Sequence, residues 1–457
     1  MKIIILGAGQ VGRSVAQNLV NEATDITIVD NNPELAESLT DELDISTIVG
    51  NASHPSILQR AGADDADMIV AVTNSDETNM IACQVASTLF QTPTKIARVR
   101  ATDYLAHGEL FHPKHINVDH VISPEQLVTE NIRNLIEYPG ALQVLEFADG
   151  RLRLVSIIVS ADSPLAHQEL KKLHEHLPGI QTRVAAIFRK GEAILPKGST
   201  VVEADDELFF IATRQDLRKM INELQSSQRR SRRIILAGGG NIGYNLARQL
   251  EKDYYVKLIE FNGPRAHKIA ESLDKTIVLH GDASDKDLLQ SENIANVDIF
   301  CAVTNNDQAN ILSAMLAKHL GAKKNLAIVN RASYLDVVSN GLIDVVVNPQ
   351  QTTIGTILAH VRRGDIVKVH SLRHGAAEAI EAIAHGDKNS SQVVGRTIED
   401  IDLPKGVSIG AIVRGDKVLM PHHDTLIESN DHVILFVTDK SLIPQVDRIF
   451  QVSLLYF

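Results

Sequence analysis

Three glycines near the start of the chain have the spacing with which a backbone turn holds a dinucleotide. Gly7, Gly9 and Gly12 follow the apolar run Lys2–Leu6 and precede apolar residues at helical spacing. In such a strand–turn–helix unit the first glycine permits the turn, the second admits a pyrophosphate, and the third lets the helix pack on the strand. The phosphates would lie on free N–H groups at the helix N-terminus. The alternative interpretation is a structural glycine turn that holds no ligand.

An acidic residue follows at the distance expected for contact with a ribose. Asp30 ends the apolar run Ile26–Asp30 and lies 18 residues beyond Gly12. This is close to the spacing of about 20 residues at which a carboxylate binds the ribose hydroxyls of NAD. A carboxylate in this place repels a 2′-phosphate, so the sequence favours NAD(H) over NADP(H).

The same pattern returns 231 residues later, which indicates a tandem repeat. Gly238, Gly240 and Gly243 repeat the three glycines, and Glu260 ends the next apolar run, where the first copy has Asp30. In both copies short β-branched runs alternate with helical patterns. This alternation predicts six-stranded parallel sheets with helices on both faces. We therefore expect the second half to repeat the fold of the first.

The expected fold class is α/β, with two Rossmann-like, doubly wound parallel sheets, each followed by a small α/β module. Each module should contain a hairpin, a third strand and an amphipathic helix that ends near Leu224 or Phe450. Helices at about Pro124–Glu137 and Pro349–Arg363 join sheets to modules, either as hinges and dimerising elements or as ordinary crossover helices. The expected domains are residues 1–123 and 232–348 for the sheets, and residues 140–226 and 367–453 for the modules.

A doubly wound sheet binds its ligand beyond the carboxyl ends of the strands, where the strand order reverses. In the first copy the candidate nucleotide-binding residues are Gly7, Ala8, Gly9, Gln10, Val11, Gly12, Asp30, Asn51, Thr73, Asn74 and Arg98. In the second copy they are Gly238, Gly240, Asn241, Gly243, Glu260, Asp282, Thr304 and Asn305. Helix capping is the alternative role of Thr73 and Asn74. Arg98 is long enough to reach a phosphate, and the repeat register assigns Val329 to its place, so the two sites need not be equivalent.

Composition and charge argue against several classes of function. The 457 residues carry a formal net charge of −12, which disfavours binding to nucleic acid and adhesion to anionic lipid. The apolar runs are shorter than the ~18 residues of a membrane span, so we expect a cytoplasmic chain without direct membrane insertion. The basic run 229–233 is interpreted as a solvated linker. Cys83 and Cys301 are interpreted as core residues.

The sequence offers no group that would make a bound nucleotide a reactant. A dehydrogenase needs a residue such as His, Lys or Tyr beside the nicotinamide to move a proton. His422, His423 and Asp424 fall in a polar loop that we expect to be solvated, while His174 and His176 are two residues apart in a helical stretch and do not face each other. No metal-binding motif is expected. We predict a sensor and not an enzyme, and a soluble NAD-dependent oxidoreductase is the alternative.

The repeated elements give the chain a family resemblance. It resembles the RCK, or KTN, regulatory domains of bacterial potassium transport, in the tandem arrangement of the TrkA-type peripheral subunits. The resemblance covers essentially the whole chain and rests on the two glycine turns with their acids and on the two module hairpins. It also rests on Gly-Asn-Ala-Ser at 50–53, Gly-Asp-Ala-Ser at 281–284, and Ala-Val-Thr-Asn at 71–74 and 302–305.

This resemblance implies a function and partners. It implies a cytoplasmic ring of four identical chains, peripheral on the inner face of the cell membrane, beneath a potassium-translocating subunit of the TrkH or TrkG type. NAD(H), ATP or ADP would set the gate of that subunit. The second copy has Glu260 in place of Asp and lacks an arginine like Arg98, which leaves open whether it binds the same ligand.

Overall fold

The computed structural model describes residues 1–20, 24–138, 140–224, 232–338, 341–361, 366–373 and 376–452. The chain divides into one unit of residues 1–127 and 350–362, and another of residues 128–349 and 363–457. Several sequence predictions fall outside the described residues. These are positions 229–231 of the basic run, the domain ends at 226 and 453, and the predicted helix end at Arg363.

The first half begins with a parallel sheet. Its strands are β1 (Lys2–Leu6), β2 (Asp25–Asp30), β3 (Ser46–Val49), β4 (Met68–Ala71), β5 (Thr94–Arg98) and β6 (His120–Ile122). The helices between them are α1 (Gln10–Leu19), α2 (Pro33–Glu42), α3 (Pro55–Arg60), α4 (Asp76–Val85) and α5 (Thr102–Leu105). The strand order is β3-β2-β1-β4-β5-β6, which is the order of a dinucleotide-binding fold. Ile3–Leu6 are all buried, as expected for a central parallel strand.

Helix α6 spans Pro124–Glu137, the bounds predicted from the sequence, and leads into the first module. The module's strands are β7 (Gln143–Phe147), β8 (Leu152–Ile158), β9 (Thr182–Arg189), β10 (Glu192–Ile194) and β11 (Glu207–Thr213), and its helices are α7 (Leu173–His176) and α8 (Arg214–Leu224). The described strands pair antiparallel in the order β10-β9-β11-β8-β7. The predicted hairpin and third strand are present as β9, β10 and β11. The hairpin β7–β8 precedes them.

The second half repeats the parallel sheet. Its strands are β12 (Arg233–Ala237), β13 (Tyr255–Glu260), β14 (Ile277–His280), β15 (Ile299–Ala302), β16 (Lys324–Ile328) and β17 (Val345–Val347). Its helices are α9 (Asn241–Leu250), α10 (Gly263–Ser272), α11 (Lys286–Ser291), α12 (Asp307–His319) and α13 (Ala332–Val338). The order β14-β13-β12-β15-β16-β17 matches that of the first sheet. The predicted fold class is therefore confirmed for both halves.

Helix α14 (Pro349–Val361) connects the second sheet to the second module. The module's strands are β18 (Ile366–Leu372), β19 (Ala377–Ala384), β20 (Val407–Arg414), β21 (Lys417–Leu419) and β22 (Asp431–Val437), and its helix is α15 (Ile443–Phe450). These strands take the order β18-β19-β22-β20-β21, the same topology as in the first module.

The two joining helices exchange places between the halves. Ile354, Ile357, Leu358 and Val361 of α14 belong to the apolar core of the first sheet. The apolar residues of α6 from Val128 onward instead share a core with β12 of the second sheet. An ordinary crossover helix would cover its own sheet, so that alternative is wrong for α14. The hinge role of the two helices stays a prediction.

The two modules share an apolar core between their sheets. Phe147 and Phe209 of the first module belong to the same buried cluster as Leu372 and Phe436 of the second. Large aromatic and aliphatic side chains that are removed from water in this way stabilise a contact strongly. The modules therefore hold together independently of any ligand.

Polar contacts fix the register of the two modules. Glu381 is almost fully buried, accepts the backbone N–H of Ala148 at 2.8 Å and pairs with His432 Nδ1 at 2.6 Å. Arg373 donates to Glu207 at 2.7 Å. Because a buried polar group without a partner is costly, the two contacts that cross between the modules, Ala148 with Glu381 and Arg373 with Glu207, disfavour other registers of the two sheets.

The helix exchange predicts which half each buried isoleucine stabilises. Ile357 of α14 and Ile132 of α6 stand 225 residues apart at equivalent places, and both are fully buried. Truncation to alanine should cost about 2–4 kcal/mol of stability. In hydrogen exchange measured by mass spectrometry, Ile357→Ala should speed exchange in β1 and α1, and Ile132→Ala in β12 and α9. Faster exchange in β12 and not in β1 for Ile357→Ala would contradict the exchange of helices.

Candidate nucleotide-binding sites

Two of the three glycines in each turn are required by the fold itself. Gly7 has φ +111°, a conformation that disfavours side chains, and its N–H donates to Val29 O at 2.8 Å. A Cβ on Gly12 would clash with the carbonyl oxygen of Gly7, because α1 packs directly on the turn. Gly238 (φ +110°) and Gly243 repeat both features in the second copy.

The middle glycine has no such structural cause. Gly9 has φ −66° and ψ −175°, which any residue adopts, and a Cβ there would have no neighbour within 4 Å. Gly240 is the same, with φ −68° and ψ −173°. In the described chain no side chain caps the N-terminus of α1, whereas Asn32 and Ser75 cap α2 and α4. The open space at Gly9 and the uncapped N–H groups are what a pyrophosphate needs.

The acid at the end of β2 holds the turn in place. Asp30 Oδ2 accepts the N–H of Ala8 at 2.6 Å, and Oδ1 accepts the N–H of Asn32 at 2.8 Å. A carboxylate has about four acceptor positions, so two remain for ribose hydroxyls. Asp30 is half-buried and lies beside the turn. The structure therefore brings the predicted acid and the predicted glycines together.

The second copy reaches the same arrangement with a longer side chain. Glu260 accepts the N–H groups of Gly239 at 2.7 Å and Asn262 at 2.8 Å, and it is only 6% exposed. A Cβ on Gly239 would lie 2.8 Å from Glu260 Oε2 and 2.5 Å from Ile269 Cδ1. The longer acid therefore requires glycine at the turn: Ala8 goes with Asp30 in the first copy, and Gly239 goes with Glu260 in the second.

The predicted capping role of Thr73 and Asn74 is wrong. The cap of α4 is Ser75, whose Oγ accepts the N–H of Thr78 at 3.1 Å. The Thr73 hydroxyl instead donates to Asn79 Oδ1 at 2.7 Å, while Asn74 is exposed at the sheet edge. In the second copy the cap is Asn306, the Thr304 hydroxyl donates to Asn310 Oδ1 at 2.6 Å, and Asn305 is exposed.

The remaining candidates near the strand ends have local roles. Asn51 Oδ1 accepts the N–H and the hydroxyl of Ser53 at 3.0 and 2.8 Å. Asp282 does the same for Ser284, and these hydrogen bonds lower the pKa of its carboxyl. Gln10 and Asn241 are exposed in the first turns of α1 and α9, whereas the Val11 side chain faces the core. Val11 therefore offers a ligand only its backbone.

Arg98 lies half-buried at the end of β5. Its Nε has no hydrogen-bond partner among the described residues, and burial lowers the pKa of its guanidinium, with a further contribution from Arg100. The prediction that Val329 takes the place of Arg98 in the second copy is wrong. Ala97 pairs with Ala71 as Ala327 pairs with Ala302, so the residue after Ala327, Ile328, occupies the place of Arg98. The second copy still lacks an arginine here.

Profiles of known protein families match both sheets and both modules of the chain. The TrkA-N domain profile matches residues 3–124 and 234–349, and the TrkA-C domain profile matches residues 154–225 and 387–451. The chain belongs to the TrkA family. It is 57% identical over 457 residues to the Trk system potassium uptake protein TrkA of Halomonas elongata, covering 100% of both chains. It is 56% identical over 454 residues to that of Vibrio alginolyticus, covering 99% of both.

Solved structures share the fold of this TrkA-family chain. The structure titled "Crystal Structure of the GsuK RCK domain" gives a TM-score of 0.62 at 20% identity and covers 98% of this chain and 94% of that one. The structure titled "GsuK channel bound to NAD" gives 0.61 at 20% identity, covering 98% and 78%. At this identity the likeness concerns the fold, and it agrees with parallel sheets followed by small modules.

Several buried polar residues of the TrkA-family site were missed from the sequence. Asn79 and Asn310 are fully buried and hold Thr73 and Thr304. Asp76 accepts the N–H groups of residues 100 and 101. In the second copy Asp307 accepts those of residues 330 and 331. Both kinds recur 231 residues apart inside apolar surroundings. That recurrence is the signal by which the sequence could have identified them.

Arg100 was also missed. Its Nε lies 3.5 Å from Asp76 Oδ1, and its guanidinium donates to the Asn74 carbonyl at the edge of the site. Asn330 takes its place in the second copy, where its amide donates to Asp307 Oδ1 at 2.9 Å. The first site of this TrkA-family chain therefore carries two arginines where the second has neutral side chains.

Other reactive groups are buried thiols or exposed loop side chains. Cys83 and Cys301 are buried as predicted, and burial raises the pKa of each thiol to about 12. His422, His423 and Asp424 are exposed, as predicted. Across the described residues no cluster of His, Cys, Asp or Glu could hold a metal ion. In the same residues no helix is long and apolar enough to cross a membrane.

The three glycines of the turn should respond differently to substitution. Gly12→Ala should lower the melting temperature sharply, because its methyl group collides with the backbone of Gly7. Gly9→Ala should change the free energy of unfolding by less than about 0.5 kcal/mol, since its methyl group points into open space. Differential scanning fluorimetry of both variants checks this, with Gly243→Ala and Gly240→Ala as the matched pair. Equal destabilisation by Gly9→Ala and Gly12→Ala would overturn the distinction.

Proposed function

We propose that the chain is the cytoplasmic, nucleotide-binding regulatory subunit of a Trk potassium uptake system. It binds NAD(H) or an adenine nucleotide at the glycine turns and gates a membrane subunit of the TrkH or TrkG type on the inner face of the membrane. Membership of the TrkA family supports the transport role. Nucleotide control rests on one observation: Gly9 and Gly240 keep open the uncapped N-termini of α1 and α9 with no structural need for glycine.

Binding of a nucleotide as a regulatory ligand fits the site better than catalysis does. The polar groups at the strand ends are occupied with holding the backbone, as Asp76, Asn79 and Thr73 are. Such groups position a ligand and do not transfer protons to it. An oxidoreductase would consume NADH when offered a suitable carbonyl substrate. We expect no NADH oxidation when the protein is assayed with a panel of carbonyl compounds.

A route for the signal leads from the first site into α14. Gln10, in the first turn of α1, accepts a hydrogen bond from Gln350 in the first turn of α14. A phosphate at the N-terminus of α1 would lie beside this contact. Because α14 comes from the second half of the chain, the ligand's binding energy acts on a segment that both halves share.

An assembly of several chains is part of the proposal. Ile81 on α4 and Leu312 on α12 stand at equivalent positions and are 48% and 59% exposed. Repetition of an exposed apolar residue on both copies supports a contact with neighbouring chains. We expect a homotetramer, which brings eight Rossmann-like sheets into one ring.

The role of Asp30 predicts a loss of affinity in the first site. Asp30→Ala removes the acceptor for the ribose hydroxyls, so NADH affinity should fall about tenfold or more. The measurement is calorimetry in a Gly240→Val background, where only the first site is open. Glu34→Ala is the control, because it removes an exposed carboxylate four residues away. Equal NADH affinity for Asp30→Ala and its background would refute the assignment.

Gating itself should depend on the same glycines. In vesicles that hold this chain with its TrkH-type subunit, nucleotide should change potassium flux, and Gly9→Val with Gly240→Val should abolish the change.

The assembly can be tested separately. Light scattering should give the mass of four chains, and small-angle scattering should show a shape change on addition of NADH or ATP. A monomer with an unchanged scattering profile would sink both the ring and the gating mechanism.

A further inference from the structure

One aromatic side chain at the second site has no place in the core. Phe261 follows Glu260 directly and is 75% exposed. The first copy has Asn31 at this position, directly after Asp30. Both copies share the same strand order, so the difference concerns the surface of the site and not the fold. A single exposed aromatic residue is ordinary, and its position at the site is what gives this one meaning.

The order of the ligand's parts along the site determines what lies beside Phe261. The pyrophosphate belongs at the N-terminus of α9 and the ribose at Glu260. The base is bonded to that ribose, so it continues past the end of β13. The segment that follows β13 is Phe261 and the start of α10. The aromatic ring therefore lies beside the place expected for the base of a bound nucleotide.

The backbone around Phe261 is held on both sides. The N–H of Asn262 donates to Glu260 Oε1 at 2.8 Å, and the Asn262 side chain caps α10 by accepting the N–H of Arg265 at 2.9 Å. His280, at the end of the neighbouring strand β14, has Nε2 3.1 Å from the Phe261 carbonyl oxygen. Because the backbone is held in this way, only the side chain of Phe261 has freedom to lose on binding, which favours affinity.

Glu260 makes an aromatic side chain useful here. Its oxygens accept two backbone N–H groups, as those of Asp30 do, but Glu260 is only 6% exposed and is therefore less accessible to ribose hydroxyls than the half-buried Asp30. The second site also lacks the two arginines of the first. A stacked base adds an interaction that needs neither an exposed acid nor a nearby cation, and stacking on an aromatic side chain strengthens binding about tenfold.

We propose that Phe261 is the stacking residue for the adenine base in the second site. The second copy then binds adenine nucleotides mainly through the base, and the first copy through the ribose and phosphates. This inference rests on the proposed function, because it assumes that the glycine turns bind nucleotides.

Exchange of the two copies' own residues tests the proposal. Phe261→Asn gives the second site the residue of the first, and should weaken ATP about tenfold by calorimetry in a Gly9→Val background. Asn31→Phe in a Gly240→Val background should tighten ATP by a similar factor. Both changes are at exposed positions, so melting temperatures should match the backgrounds. Unchanged ATP affinity in Phe261→Asn, with binding abolished by Gly240→Val, would overturn the stacking role and leave the proposed function intact.

A fluorescent reporter gives a second, independent readout. The chain has no tryptophan, so Phe261→Trp introduces a single one. Adding ATP should quench its fluorescence saturably, and tripolyphosphate, which has no base, should not. Quenching by both ligands alike would overturn the stacking role. Absence of ATP binding to wild type and to every variant would instead overturn the proposed function and this inference together.

Discussion

In both copies a carboxylate at the end of the second strand holds the second residue of the glycine turn by its backbone N–H. A hydrogen bond to a charged acceptor is stronger than one between neutral groups. It fixes the turn, and the turn fixes where the first helix begins. The uncapped N-terminus and the space at the middle glycine both depend on this contact. Each acid is therefore part of the scaffold as well as a candidate ligand contact.

The sequence predicted the local elements well, because each carries its own signal. The six strands of each sheet, the helix Pro124–Glu137 and the ends of α8 and α15 follow from periodicity and from glycine and proline positions. Features that depend on distant residues were not predictable in this way. Local pattern does not say which sheet α14 covers, that Ser75 and not Thr73 caps α4, or that Ile328 aligns with Arg98. Those are decided by packing and strand register.

The two copies keep one fold while their sites diverge. The change from Asp30 to Glu260 is accommodated by the change from Ala8 to Gly239, so the turn keeps its geometry. The arginines at 98 and 100 have no such coupling to the turn and are replaced by Ile328 and Asn330. The acid and the turn residue that it holds thus change together, whereas the arginines change without a matching change in the turn. The two copies therefore share one turn geometry and differ in the side chains at the strand ends.

The exchanged helix also bears on how the chain is made. The first sheet leaves the ribosome early, but α14, which supplies Ile357 to its core, is synthesised only after the whole second sheet. Until then the apolar face of the N-terminal unit lacks its cover, and such surfaces promote aggregation of unfinished chains. Contacts between segments this far apart in sequence also form slowly. We therefore expect a truncated first half that lacks α14 to be poorly soluble.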